Sequence, residues 1–204
     1  YASRGLGDVY KRQDKTKDFL VDNVKEQLAI VTIGVDYGAG KSKIKFVASG
    51  ITYNFRNVYV LDEMDLSGVY DPEQIYEKFI EFYKRVYDKY DKCQYAFCDY
   101  GALGNVITLG LIRRCQKERL PVQVVDCSKG LINDRIFLSS TLMAQRRFFI
   151  LRKNTIITKA FQDALWNDNK PDERLDDGTT DIDSLDAFEY SINSFYENLI
   201  NSRR

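Results

Sequence analysis

The sequence predicts an α/β fold in which a mixed β-sheet is flanked by helices. Two observations lead there. Three apolar, strand-like runs follow one another between residues 28 and 61, and beyond them helical and strand-like patterns alternate. Strands in succession, then helix, strand, helix and strand, build a mixed sheet with helices on its faces. A third observation concerns chemistry: several of the apolar runs end in an aspartate.

Leu28 to Val35 reads as a core strand, because it is an almost unbroken apolar run. From Lys43 to Thr52 two faces alternate roughly, with Ile44, Phe46 and Ala48 set against Lys45, Val47 and Ser49. Val58 to Leu61 completes a three-strand meander. Pro72 sits where a first helical turn tolerates proline, and Ile75, Phe79, Phe82 and Val86 recur at helical spacing up to about Lys89. The short strand Tyr95 to Cys98 precedes a helix from about Leu103 to Arg119, which stops before Pro121. Val122 to Val125 is again a core strand. Asn133 to Gln145 reads as a helix, Arg147 to Leu151 as an extended piece and Thr155 to Trp166 as a helix. The polar stretch Asn167 to Thr180, with Pro171 and Gly178, reads as an exposed loop. A final helix from about Ile182 to Leu199 carries Leu185, Phe188, Ile192, Phe195 and Leu199 three and four apart, the stripe of a core-facing helix.

With 204 residues, 44% of them hydrophobic, the chain is long enough for one substantial domain with a buried core. Lys plus Arg equals Asp plus Glu at 30 each, so no global field advertises a polyanion, and any nucleic acid must meet a local basic patch. Cys93, Cys98, Cys115 and Cys127 form no CxxC pair and read as reduced, mostly apolar-segment thiols. No apolar stretch reaches the ~20 residues that span a bilayer, and no signal peptide opens the chain, so no membrane role is expected and the cytoplasm is the expected compartment. Ser3 to Gln13 looks like the in-frame translation of a sequencing adapter. Residues 1–13 are therefore set outside the fold, 14–28 read as a linker from a missing upstream domain, and 29–204 as one domain.

The chain has no histidine, which excludes Ser-His and Cys-His nucleophiles and His-ligated zinc. Acid chemistry must run through carboxylates. Asp36 ends the first core strand and is followed by Tyr37-Gly38-Ala39-Gly40; Asp99 ends Tyr95-Ala96-Phe97-Cys98. A carboxylate at the end of a buried strand is costly unless solvated, hydrogen-bonded or bound to a cation. Turn formation is the ordinary alternative, and Asp126, at the end of Val122 to Val125, shows how common that position is. Asp183 and Asp186 lie three apart on the last helix, a turn of about 300°, and so share a face away from the apolar stripe. An acidic N-terminal turn is favourable in itself, but the small Ser184, Ala187 and Ser191 would let this side approach another surface closely. Gly38-Ala39-Gly40-Lys41-Ser42 is not a phosphate-binding P-loop, because GxxxxGK[ST] needs glycine where Val35 stands. The acid-glycine pattern also occurs in actin-like ATPases, but those need a second domain for which the chain is too short. Lys41, Lys43 and Lys45 adjoin Asp36, and Arg146, Arg147, Arg152 and Lys153 cluster later; either group is a candidate for phosphate contacts.

Taken together, Gly34-Val35-Asp36-Tyr37-Gly38, Cys98-Asp99 and Asp183-Ser184-Leu185-Asp186-Ala187-Phe188-Glu189-Tyr190 resemble the nuclease domain of phage large terminase subunits. Similar too are Asp126 to Gly130, Ile132 to Arg135 and the loop Asp172 to Gly178. The resemblance covers nearly everything from about Ile30 to Leu199 and implies a ribonuclease H-like fold whose first strand, fourth strand and final helix carry metal-binding carboxylates. It implies a DNA endonuclease using two Mg²⁺ or Mn²⁺ ions, with Asp36 bridging both, Asp99 holding one, and Asp186, with Asp183, the other. Lys41, Lys43, Arg146 and Arg147 are the cations expected to face DNA. Where the family often has histidine three residues before the last aspartate, this chain has Asp183; where it often has Asp-Ser-Ala, this chain has Asp99-Tyr100-Gly101. The partners implied are double-stranded concatemeric viral DNA, an upstream packaging ATPase domain, a small terminase subunit and a portal, acting in the cytoplasm of a bacterial host. A junction-resolving nuclease and a non-catalytic DNA-binding module are the alternatives.

Overall fold

The structure, a computed structural model, describes residues 19–38, 43–68, 70–101, 104–127, 129–167, 170–175 and 180–202. Seven strands form one sheet: β1 (Leu20–Val21), β2 (Leu28–Asp36), β3 (Ile44–Thr52), β4 (Val58–Leu66), β5 (Tyr95–Cys98), β6 (Gln123–Asp126) and β7 (Phe148–Leu151), in the order β1-β7-β4-β3-β2-β5-β6. Only β3 runs against its neighbours. The carboxyl ends of β2, β5 and β6 therefore lie side by side, at the end of an open sheet where ligands bind in α/β folds. The mixed sheet expected from the order of patterns is present. It also reaches back before residue 29, because β1 pairs with β7 and Phe19 meets the ring of Phe148 edge-on at 6.3 Å.

Helices α1 (Pro72–Tyr90) and α2 (Gly104–Lys117) cover one face of the sheet, and α3 (Ile132–Ala144), α4 (Thr155–Asp163), α5 (Ile182–Asn193) and α6 (Tyr196–Asn201) the other. α1 begins as its sequence demands: Asp71 and Gln74 cap each other reciprocally at 2.9 and 3.0 Å, and Pro72 occupies the first turn. Its periodic residues Ile75, Phe79, Phe82 and Val86 are all buried, and Phe46 of β3 packs between Phe79 and Phe82 at 5.7 and 5.8 Å. On the other face Phe148, Phe161 and Phe188 meet edge to face at 5.3 to 5.5 Å. Each such ring stabilises the fold by on the order of 2 kcal/mol. The four cysteines are buried and free of disulfides.

Three elements differ from expectation. β4 runs on through Asp62 to Leu66 because its polar side chains find partners: Asp62 binds Arg85 at 3.0 Å and Lys153 at 2.9 Å, Glu63 accepts the amides of Ile156 and Ile157, and Asp65 binds Lys45. The last helix breaks at Ser194 and Phe195. There the hydroxyl of Thr32 takes the Ser191 carbonyl at 2.7 Å, and the Phe195 amide turns to Ile192 instead, closing a tighter turn. Part of the expected loop after Asn167 is a hairpin of β8 (Trp166–Asn167) and β9 (Lys170–Arg174), whose last residue, Arg174, is buried. Among the described residues no helix is long and apolar enough to cross a membrane.

Candidate metal centre

The site begins with how closely α5 lies on β2. Gly34 is required there: a Cβ would sit 1.8 Å from the carbonyl oxygen of Ala187 and 2.7 Å from the amide nitrogen of Ser191. Thr32, Gly34 and Asp36 share one face of the strand, and Ser191 hydrogen-bonds to Thr32 at 2.7 Å and to the Ser49 hydroxyl at 2.6 Å. The small residues of α5 thus let the helix reach the sheet, and its first turn brings Asp183 and Asp186 toward the end of β2.

Asp36 is 8% exposed. Its Oδ1 accepts the Gly38 amide at 3.3 Å, in a turn for which Gly38 supplies a φ of 62°. Burial pushes the Asp36 carboxyl up to about 8, and the negative charges of Asp186, Asp183 and, more weakly, Asp99 push the same way. A proton or a cation must neutralise such a group. Asp99, just past the end of the adjoining strand β5, accepts the Gly101 amide at 2.7 Å and pairs with Lys129 at 2.7 Å. Asp186 pairs through Oδ1 with Arg135 of α3 at 3.0 Å and with Arg174 of β9 at 3.3 Å. Both arginines also pair with the buried Glu189, one turn further along α5. Asp183 accepts the Lys43 amide at 2.9 Å. Asp181 caps α5 through Ser184 and binds Lys45 at 3.0 Å; Lys45, opposite Asp36 in the β2/β3 register, also holds Asp65 at 2.9 Å.

The four aspartates singled out in the sequence are therefore electrostatic neighbours. Asp126 ends β6, where its carboxylate accepts the Tyr100 amide at 3.3 Å. Among the candidate phosphate-binding cations, Lys43 lies at the site with its side chain 54% exposed, and Lys41 falls outside the described residues. Arg146 and Arg147 precede β7, at the opposite end of the sheet from Asp36. Arg147 is buried, donating to the carbonyls of Phe55, Arg56 and Leu199. A guanidinium held by interior carbonyls cannot reach a phosphate, so that expectation is corrected. Lys129, Arg135 and Arg174 lie in segments noticed for their family likeness, but their pairing with Asp99 and Asp186 was not foreseen. Neither was Glu189, whose one available signal is its spacing of three from Asp186.

The donor set suits a hard divalent cation: every carboxylate is an oxygen ligand, and the chain has no imidazole to offer. The buried, proton-retaining Asp36 beside three further carboxylates fits Mg²⁺ or Mn²⁺. In this conformation no three Asp, Glu or Cys side chains among the described residues are gathered closely enough to cage an ion, since Asp99 and Asp186 rest on internal cations. The buried thiols are not nucleophiles; burial pushes Cys98, on β5 beside the site, up to about 12.

No family model and no curated protein matches the sequence. Solved structures do match. A large terminase from a thermophilic bacteriophage, in complex with ATP-γ-S, aligns over 94% of this chain and 46% of its own length with a TM-score of 0.69 and 13% identity. The chain thus spans about half the length of that protein. The large-terminase nuclease domain of bacteriophage SPP1 with bound Mn aligns over 82% of this chain and 88% of its own, with a TM-score of 0.55 and 14% identity. The large-terminase nuclease of thermophilic phage G20c with bound magnesium aligns over 91% and 96%, with a TM-score of 0.57 and 12% identity. The fold of this chain is that of the phage large-terminase nuclease domains, a ribonuclease H-like α/β fold with a mixed seven-stranded sheet.

Proposed function

We propose that the chain is a metal-dependent endonuclease domain that cuts double-stranded DNA. One observation carries the reading: Asp36, buried and with its carboxyl pushed up to about 8 by burial and by Asp186, Asp183 and Asp99, stands at adjoining strand ends on a large-terminase nuclease fold. Two bound Mg²⁺ or Mn²⁺ ions would supply an activated water and stabilise the departing 3′ oxygen. Asp36 would bridge them, Asp99 would hold one, and Asp186, with Asp183, the other. Burial and the neighbouring charges make the Asp36 carboxylate costly to leave bare, so a bound cation would take the place of its proton. Lys129 and Lys43 have half-exposed side chains at the rim, placed for the phosphates flanking the cut. In its natural setting the domain would follow a packaging ATPase domain, work with a small subunit and a portal, and cut concatemeric viral DNA in the host cytoplasm.

The test is plasmid cleavage in Mn²⁺ or Mg²⁺. Wild type should nick or linearise DNA, and EDTA should stop it. Asp36→Asn, folded by circular dichroism, should cut at least about a thousandfold more slowly, corresponding to roughly 4 kcal/mol of transition-state stabilisation. Undiminished cutting by that variant would overturn the site. A preference for four-way junctions over linear duplex would instead favour a resolvase. The ion pairs that occupy Asp99 and Asp186 favour a second reading, a DNA-binding module that has kept the fold without the metals. A protein that binds DNA but no Mn²⁺ would establish it.

A further inference from the structure

Glu189 is 1% exposed and lies among three charged groups from three elements. It pairs with Arg174 of the β8/β9 hairpin and, at 3.1 Å, with Arg135 of α3. Both guanidiniums also reach Asp186, and both take the same oxygen, Oδ1, at 3.0 and 3.3 Å. Among the described residues the hydrogen bonds to Asp186 go to Oδ1 and none goes to Oδ2. The side chains of Arg135 and Arg174 are 8% and 1% exposed, so water screens this square of charges poorly. Two guanidiniums and two carboxylates sum to zero. Without Glu189, the two guanidiniums and Asp186 would sum to +1, which weakens the pull of Asp186 on a divalent ion.

We propose that Glu189 is a positioning residue for the metal site: through Arg135 and Arg174 it fixes Asp186 by Oδ1, leaves Oδ2 as the single ligand oxygen, and sets the charge an ion meets there. The inference rests on the nuclease reading only in taking Asp186 as a metal ligand. It separates Glu189 from the ligands themselves. Glu189 touches neither ion nor DNA and acts through two arginines, the way outer-shell partners orient a ligand and tune its affinity. It also gives the hairpin a task, since Arg174 carries the end of β9 to the metal-bearing helix.

The experiment is a calorimetric titration of the full chain with Mn²⁺ in the absence of DNA, with folding followed by circular dichroism. Glu189→Gln leaves the square with net charge +1 and should weaken the Mn²⁺ binding that depends on Asp186 by about tenfold or more. Arg174→Met leaves it at −1 and should tighten that binding. The double variant restores zero charge and should return to within about threefold of wild type. Opposite shifts support the proposal, because a merely structural role would weaken binding in every variant. Shifts in the same direction, or none, overturn it. Should Glu189→Gln not fold, Arg174→Met against Arg174→Lys decides: tightening in the Met variant alone supports the proposal, and equal behaviour overturns it. Wild-type protein that binds no Mn²⁺ would remove the metal reading itself, an outcome distinct from a wild type that binds while its variants do not differ.

Discussion

Asp36 combines the two properties that a metal ligand and a turn residue do not share: it is buried, and three carboxylates raise its cost of ionising. In the metal-free protein that cost is a stability cost. The folded state holds the Asp36 proton up to about pH 8, whereas the unfolded chain releases it in the usual carboxylate range, so metal-free stability falls as pH rises between those values. Asp36→Asn carries no such charge. In EDTA its melting temperature should match wild type near pH 4 and exceed it by several degrees at pH 8, for a relief of roughly 2 kcal/mol. Mn²⁺ should reverse the order, raising the wild-type melting temperature and not the variant's. Equal pH profiles in EDTA would show that Asp36 is not the charge-stressed group. The strand-end positions of Asp36 and Asp99 were legible in the sequence because a carboxylate closing an apolar run is a local signal. Glu189 was not, since nothing near it in the chain says that arginines 54 and 15 residues earlier will fold against it.

Elements hold the site together through close approach and paired charge. α5 rests on β2 only because Gly34 offers no side chain, and the obstructing atoms, the Ala187 carbonyl and the Ser191 amide, are backbone. Gly34→Ala should therefore push the helix off the sheet, destabilising the fold by about 3 kcal/mol in urea titration and abolishing cleavage in whatever fraction still folds. A fully active, equally stable Gly34→Ala protein would contradict the seating of α5. β4 is tied to α1 and to the turn before α4 through Asp62. Burial pushes this carboxyl up, but Arg85 and Lys153 outweigh it and hold the group below its ordinary range. A depressed folded value stabilises above the unfolded one and is lost as pH falls through it. Asp62→Asn should accordingly cost about 1–2 kcal/mol at pH 7, discounted for half-exposed partners, and progressively less below pH ~4. The helices of this fold were readable from their apolar spacing, which packing then used. The break at Phe195 and the β8/β9 hairpin were not, because the first depends on a hydroxyl from β2 and the second on a buried arginine far from its acidic partner in the chain.

At the scale of the whole molecule the two ends of the sheet carry different residues. Parallel order puts Asp36, Asp99 and Asp126 at one end and the start of β7, with Arg146 and Arg147, at the other, separated by the length of β4, about 25 Å. The strand order that sorts these residues is a property of the assembled sheet, which is why the sequence alone does not show that Arg146 and Arg147 lie at the end away from Asp36. With 30 basic and 30 acidic residues, the molecule has no net field to hold a polyanion, so any affinity for duplex would have to come from local cations, which the proposed function places at the rim of the site. Lys43 and Lys129 are the described ones, and removing one phosphate-binding cation should reduce the steepness of log affinity against log salt by about one. Lys43→Ala and Lys129→Ala should thus each weaken binding of linear duplex several-fold at low salt and flatten that dependence. Arg146→Ala, at the far end, should leave both quantities unchanged. Fluorescence anisotropy over a salt series, in Ca²⁺ to hold the metal site without cutting, measures all three. If Arg146→Ala weakened binding as much as Lys129→Ala did, DNA would have to pass along the whole sheet rather than across one end of it.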